Sequence, residues 1–140
     1  MSSARIGSER AEGAAYVDTS AFVKLVLDEP ESLAMAEVFN RMPLISSALL
    51  VTELLRTVRR DCPERTDHAI ALLDHIATMP VSADVLMAAG FLDAPRMRSL
   101  DAIHLVSALA VQPEVGPFIT YDRRLAAAAE AVGLQVASPR

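Results

Sequence analysis

The 140-residue chain has no tryptophan, one cysteine and one lysine, and each scarcity removes a class of protein. A lone Cys62 closes no intrachain disulfide and offers no zinc-ligand spacing, so disulfide scaffolds and zinc modules are excluded. A reducing, cytoplasmic setting is expected. Two tyrosines and four phenylalanines, 4% of the residues, leave few platforms on which bases could stack. Apolar runs are interrupted by charge or proline before the roughly 18 to 20 residues of a membrane span, so a soluble protein with no membrane association is expected. Basic residues are also in the minority: 13 Lys and Arg against 18 Asp and Glu give a net charge of −5. That balance argues against a sequence-independent nucleic-acid binder held by a broad basic surface.

What the chain does have is apolar content, 52% of residues with a mean hydropathy of +0.31. Its length supports one core and not two. The surplus of apolar residues over what one fold buries is the composition of a protein with interfaces. Residues 1–14 are polar and rich in Gly, Ser and charge. They read as a flexible N-terminal extension, neither signal peptide nor anchor, ahead of one domain over residues 15–137.

Short apolar runs alternate with helical periodicity along that domain. Ala14-Ala15-Tyr16-Val17, Leu44-Ile45, a brief segment at Val81, Phe118-Ile119-Thr120 and Leu134-Gln135-Val136 are the expected strands. Helices are expected over Ser20–Leu27, from Pro30 to Pro43 on the apolar set Leu33, Ala34 and Val38, and over Ala48–Asp61 behind a Ser47 cap. Others start at Pro63, after Ser82, from Ser99 to Gln112, and from Asp122 to Val132 with Gly133 as the stop. The pair around Cys62 is expected to form an antiparallel hairpin. No hairpin dipeptide joins the strands, so the fold class is α/β: a parallel sheet of about four to five short strands wrapped by helices. Ligands of such folds collect outside the carboxyl ends of the strands.

Two acids stand at that edge, Asp18 after the first strand and Asp122 after the fourth. Either could be an ordinary helix cap, although Thr19 and Ser20 offer alternatives to Asp18. Asp101 opens a helix that is apolar nearly all round, where an unpaired carboxylate is costly and a first-turn cap by Ser99 or a metal ion is the way to keep one. Glu53 falls with Thr52, Arg56, Arg59 and Arg60 on the polar side of its helix, where pairing with Arg56 is the plain expectation. If the sheet gathers these carboxylates, they repel unless protonated or bridged by a cation. An all-oxygen set suits Mg²⁺ or Mn²⁺.

The segments Tyr16-Val17-Asp18-Thr19-Ser20-Ala21, Thr52-Glu53-Leu54-Leu55-Arg56, Leu100-Asp101-Ala102-Ile103-His104-Leu105 and Ile119-Thr120-Tyr121-Asp122-Arg123-Arg124-Leu125 resemble, in order and spacing, the motifs of PIN-domain ribonucleases. Within these the sequence is most similar to the VapC toxins of bacterial toxin-antitoxin modules, over about residues 15 to 137. The resemblance implies a metal-dependent endoribonuclease with Asp18, Glu53, Asp101 and Asp122 as an acidic quartet holding Mg²⁺ or Mn²⁺. It implies Ser20 and Thr120 as hydrogen-bonding support, a cognate VapB-type antitoxin, a homodimer, and an RNA substrate such as tRNA or rRNA.

Arg56, Arg98 and Arg123 are candidate phosphate contacts, with solvated helix faces as the plainer alternative. His104 reads as a core or interface histidine on a different helix face from Asp101. A phosphoryl-accepting domain would want a lysine on a late strand, and an aspartyl-phosphate hydrolase would want an acid where Ser20 stands. A catalytically inactive α/β binding or regulatory module, with carboxylates that merely cap helices, is the remaining alternative.

Overall fold

A computed structural model describes residues 13–140. The expected extension therefore lies outside the described residues except for Gly13 and Ala14. Ala14 belongs to the domain: its side chain is buried and its carbonyl accepts the Gly116 amide at 2.8 Å.

Five strands form one parallel sheet: β1 (Ala15–Val17), β2 (Leu44–Ser47), β3 (Ala77–Met79), β4 (Phe118–Ile119) and β5 (Val136–Ala137), in the order β3-β2-β1-β4-β5. The helices are α1 (Thr19–Phe22), α2 (Ser32–Arg41), α3 (Leu49–Asp61), α4 (Thr66–Leu73), α5 (Ala83–Phe91), α6 (Ser99–Ala110) and α7 (Arg123–Ala131). Short 3-10 turns at Val23–Leu25 and Pro63–Arg65 extend α1 and lead into α4. The expected strand at Val81 is absent. The third strand instead precedes Pro80, pairing Ile45 with Ala77 and Ser47 with Met79. Proline has no amide to give a ladder, so pairing ends before it.

Strand alternation divides the core into two layers. Ala15 and Val17 of β1 face Phe22, Met35, Leu50, Leu54 and Val58 of α1, α2 and α3. Tyr16 faces the other way, onto Leu105, Ala108, Phe118, Leu125 and Leu134. The period of two in a strand sends neighbours to opposite faces, so a three-residue β1 supplies both layers. Its ring lies nearly parallel to Phe118, centroids 5.4 Å apart and planes 10° off. Gly133, at φ +92°, ends α7 in a left-handed turn that returns the chain to β5, with its amide on the Glu130 carbonyl.

The sheet order reverses direction at β1, which has β2 on one side and β4 on the other. That is the switch point at which parallel sheets leave a crevice beyond their carboxyl ends. Asp18 follows β1 directly, and Thr120 and Asp122 follow β4, so the short strands deliver all three side chains to this crevice.

Candidate active site

Asp18 is the cap of α1 and the buried centre of the site, 4% exposed. Its Oδ1 accepts the Ser20 hydroxyl at 2.7 Å and the Ala21 amide at 3.0 Å, and its Oδ2 accepts the Thr120 hydroxyl at 2.6 Å. Thr19 and Ser20, the alternative caps, are instead first-turn residues of α1. The Ser20 oxygen accepts the Tyr121 amide and the Thr120 oxygen accepts the Asp122 amide, so both supporting hydroxyls are held by backbone in turn. Burial pushes the Asp18 carboxyl above its ordinary range, against the pull of the Thr120 and Ser20 hydrogen bonds.

Asp122 caps α7, its Oδ1 accepting the Arg124 and Leu125 amides at 2.9 and 3.2 Å. Asp101 sits in the first turn of α6, partly exposed rather than enclosed, with Arg98 and not Ser99 in the cap position. Burial raises its carboxyl, and the charges of Asp122 and Glu53 add to that. Asp122 and Glu53 thus each lie within electrostatic reach of Asp101.

Glu53 departs from the expected surface pair with Arg56. It turns inward, and its Oε1 takes the Thr19 hydroxyl at 2.5 Å and His104 Nε2 at 2.7 Å. Burial pushes the Glu53 carboxyl up, but hydrogen bonds from His104 and Thr19 outweigh it and hold it below the usual range. His104 is 1% exposed, as a core histidine should be, yet it reaches the site. Its Nδ1 lies 2.8 Å from the Tyr16 hydroxyl, which also receives the Ser47 amide at 3.1 Å. Tyr16 and Thr19 are site residues that sequence reasoning passed over, and His104, expected in the core on a different helix face from Asp101, is buried but also reaches the site. It lies at i+3 from Asp101, a spacing that makes the two neighbours on α6 and was the available signal.

The four acids differ in how much acceptor capacity they keep. Glu53 and Asp122 have one oxygen occupied by protein donors and Oε2 and Oδ2 without one, Asp18 has donors on both oxygens with a lone pair left on Oδ2, and Asp101 has none on either among the described residues. What remains is an all-oxygen donor set, which fits a hard divalent cation in chemistry. Among the described residues, no three His, Cys, Asp or Glu side chains already stand in a geometry that could hold an ion.

Beside Asp101 and Asp122 opens a cleft of about 930 Å³ lined by Arg96, Arg98, Arg123 and Arg124. Arg98 and Arg123 thus join the carboxylate edge. Arg56 is exposed on α3 and takes no part in the cleft wall.

With fold and site in view, the comparisons with known proteins agree. The PIN domain model matches residues 15–131, and the chain belongs to the PIN domain family, among its VapC members. It is 37% identical over 130 residues to Ribonuclease VapC47 of Mycobacterium tuberculosis (strain CDC 1551 / Oshkosh), covering 89% of this chain and 96% of the relative. Ribonuclease VapC46 of Mycobacterium tuberculosis (strain ATCC 25618 / H37Rv) is 37% identical over 127 residues, 90% and 98% of the two chains. The fold matches the crystal structure of Mycobacterium tuberculosis VapC20, described as a sarcin-ricin loop cleaving toxin, with TM-score 0.69 and 18% identity over 89% of this chain and 99% of that one. It also matches VapBC2 from Rickettsia felis bound to a DNA fragment from their promoter, with TM-score 0.66 and 13% identity over 91% and 99%.

Proposed function

We propose that this protein is a Mg²⁺- or Mn²⁺-dependent endoribonuclease acting as the toxin of a toxin-antitoxin pair. The observation that carries the reading is the spare acceptor capacity of Asp18, Glu53, Asp101 and Asp122 at the sheet's switch point, as unpaired oxygens on the last three and a remaining Oδ2 lone pair on Asp18. The relatives named ribonucleases, matched over nearly their whole length, support the RNA substrate. Asp18 and Asp101 would hold the ion, with Glu53 and Asp122 completing the set or orienting the attacking water. A divalent ion bound there supplies Lewis-acid polarisation of the phosphate and a nucleophilic water at neutral pH.

The chain's own residues do the rest. Ser20 and Thr120 lock Asp18 in one rotamer. Glu53 Oε2 would accept a proton of the water as the water oxygen attacks phosphorus in line and the bond to the 3′ oxygen breaks, that oxygen leaving as an alkoxide that takes its proton from solvent. Arg98 and Arg123, with Arg96 and Arg124, grip flanking phosphates in the cleft; Arg56 would reach only RNA running out over α3.

The predicted partners are a VapB-type antitoxin and a second copy of this chain. No residue of α5 is buried, and its Leu86, Met87 and Phe91 are 52%, 65% and 82% exposed, which supports the homodimer. Phe91→Asp should convert the dimer to monomer in sedimentation, and unchanged mass would remove that face from the interface. Among the described residues no helix is long and apolar enough to cross a membrane.

The capping bonds of Asp18 and Asp122 favour one second reading, an inactive binding module whose carboxylates only finish helices. Cleavage of total tRNA and rRNA by antitoxin-free protein separates the two. The nuclease reading expects cuts that stop with chelator and in Asp18→Asn and Asp101→Asn. Cleavage equal in those variants, or indifferent to chelator, overturns it.

A further inference from the structure

We infer that His104, set by Tyr16, is a positioning residue that aims Glu53: the buried Tyr16–His104 pair fixes Glu53 Oε1 so that Oε2 faces the ion and the attacking water. The inference rests on the proposed reading of Glu53 as part of the ion site.

The hydrogen bonds join Glu53, His104, Tyr16 and Ser47 in one chain. An ionised Glu53 has no proton to give, so the 2.7 Å contact requires His104 Nε2 to carry the hydrogen and donate it. The other ring nitrogen, Nδ1, is tied to the Tyr16 hydroxyl at 2.8 Å. The Tyr16 oxygen in turn accepts the Ser47 amide at 3.1 Å, which ties the phenol to β2. The Tyr16 ring is fully buried and stacked on Phe118, and it meets the imidazole edge-on with centroids 5.9 Å apart. A relay of β2 amide, phenol, imidazole and carboxylate therefore runs from the sheet to the crevice. In such an enclosed chain each member has one orientation that leaves no group unpaired.

The same helix turn carries Asp101. One rigid element, α6, thus presents one carboxylate directly and orients a second through His104. Thr19 supplies the other donor to Glu53 Oε1 from α1, so the carboxylate is held from two elements. Partners of this kind change metal affinity or activity about 10- to 100-fold when removed.

The test is Mn²⁺ affinity of the metal-stripped protein by isothermal titration calorimetry, free of any choice of RNA. Wild type should bind and Asp18→Asn should not. His104→Leu should weaken Mn²⁺ binding by about 10-fold or more. His104→Gln, whose amide can still donate to Glu53, should recover most of that loss. In a Glu53→Gln background, His104→Leu should cost nothing further, the mark of a residue that acts through Glu53. If His104→Leu does not fold by circular dichroism, Thr19→Val and His104→Gln carry the comparison, with Thr19→Val expected to weaken binding and to be silent in the Glu53→Gln background. Wild-type affinity in His104→Leu, or the same fold loss with and without Glu53, overturns the positioning role alone. Absence of Mn²⁺ binding by the wild type, or retention of it in Asp18→Asn, overturns the ion site and the inference with it.

Discussion

Asp101→Asn separates what the crowded carboxylates cost the fold from what they do with an ion. The carboxyl of Asp101 is raised by burial and then by the charges of Asp122 and Glu53, against the pull of His104 and Arg98, so an isosteric neutral side chain relieves the burial of a charge and two repulsions and forgoes two attractions. Like-charge contacts at a partly exposed position are worth about 0.2–1 kcal/mol each. The first turn of α6 favours a negative charge by about 0.3–1 kcal/mol, which the amide forgoes. The net gain is about 0.5 kcal/mol, or roughly 1–2 °C at this chain length. With Mn²⁺ at ten times its Kd the wild type should gain about 1.4 kcal/mol, roughly 4 °C, and the variant little. Calorimetric melting should therefore show the two proteins exchanging rank: variant higher when stripped, wild type higher with Mn²⁺. A variant less stable than wild type without metal, and shifted equally by Mn²⁺, would refute both the repulsion and the ligand role.

Arg98→Ala removes one cleft arginine without touching the acids, so it should weaken RNA binding and lower the slope of log K against log salt by about one. An unchanged slope in filter binding argues against a phosphate contact. Leu54→Ala empties a fully buried position between α3 and the sheet and should cost about 2–5 kcal/mol in urea unfolding; less than 1 kcal/mol would mean the first core layer is looser than described. For pH, the native state holds the Asp18 proton more tightly than the unfolded chain, because burial raises its carboxyl. That contribution is complete below the unfolded carboxylate range and is lost as pH rises through the raised native value. Glu53 runs the opposite way: its depressed carboxyl adds stability above the unfolded range and loses it as pH falls through the native value. Urea midpoints of the stripped protein over about pH 4–8 should therefore decline less with rising pH in Asp18→Asn than in wild type. Parallel profiles would exclude Asp18 as the source.

How much of this was legible in the residues depends on which interactions are local. The parallel α/β class follows from short apolar runs and helical spacing, and the caps at Ser82 and Asp122 and the Gly133 stop lie where local chemistry puts them. Long-range packing decides the misses. Leu33, taken as a core residue of its helix, is 83% exposed, while Met35 fills the core. Ser47 is the last residue of β2 rather than a helix cap, although its hydroxyl still takes the Leu49 amide. Helix α2 begins at Ser32, beyond the Pro30 start.

At the site, Asp18 and Asp122 were legible because a strand end is a local feature. Glu53 was legible only through its motif and not from the helix pattern, because its partners Thr19 and His104 lie 34 and 51 residues away. The net charge also takes another meaning. Setting the quartet aside leaves acids ahead by only one, from 18 acidic against 13 basic residues. Arg96, Arg98, Arg123 and Arg124 gather beside Asp101 and Asp122, so on the proposed reading the −5 describes a carboxylate site in a nearly balanced protein.

The central claim is that Asp18, Glu53, Asp101 and Asp122 form one site for a divalent ion. Anomalous diffraction from a crystal of this protein soaked in Mn²⁺ tests it most directly. The account predicts a peak at the switch point of the sheet, coordinated by Asp18 Oδ2 and Asp101 with Glu53 Oε2 or Asp122 Oδ2 on the ion or on its water, and no such peak in Asp18→Asn. An ordered Mn²⁺ bound only elsewhere on the molecule, or an empty crevice at saturating Mn²⁺, would contradict it.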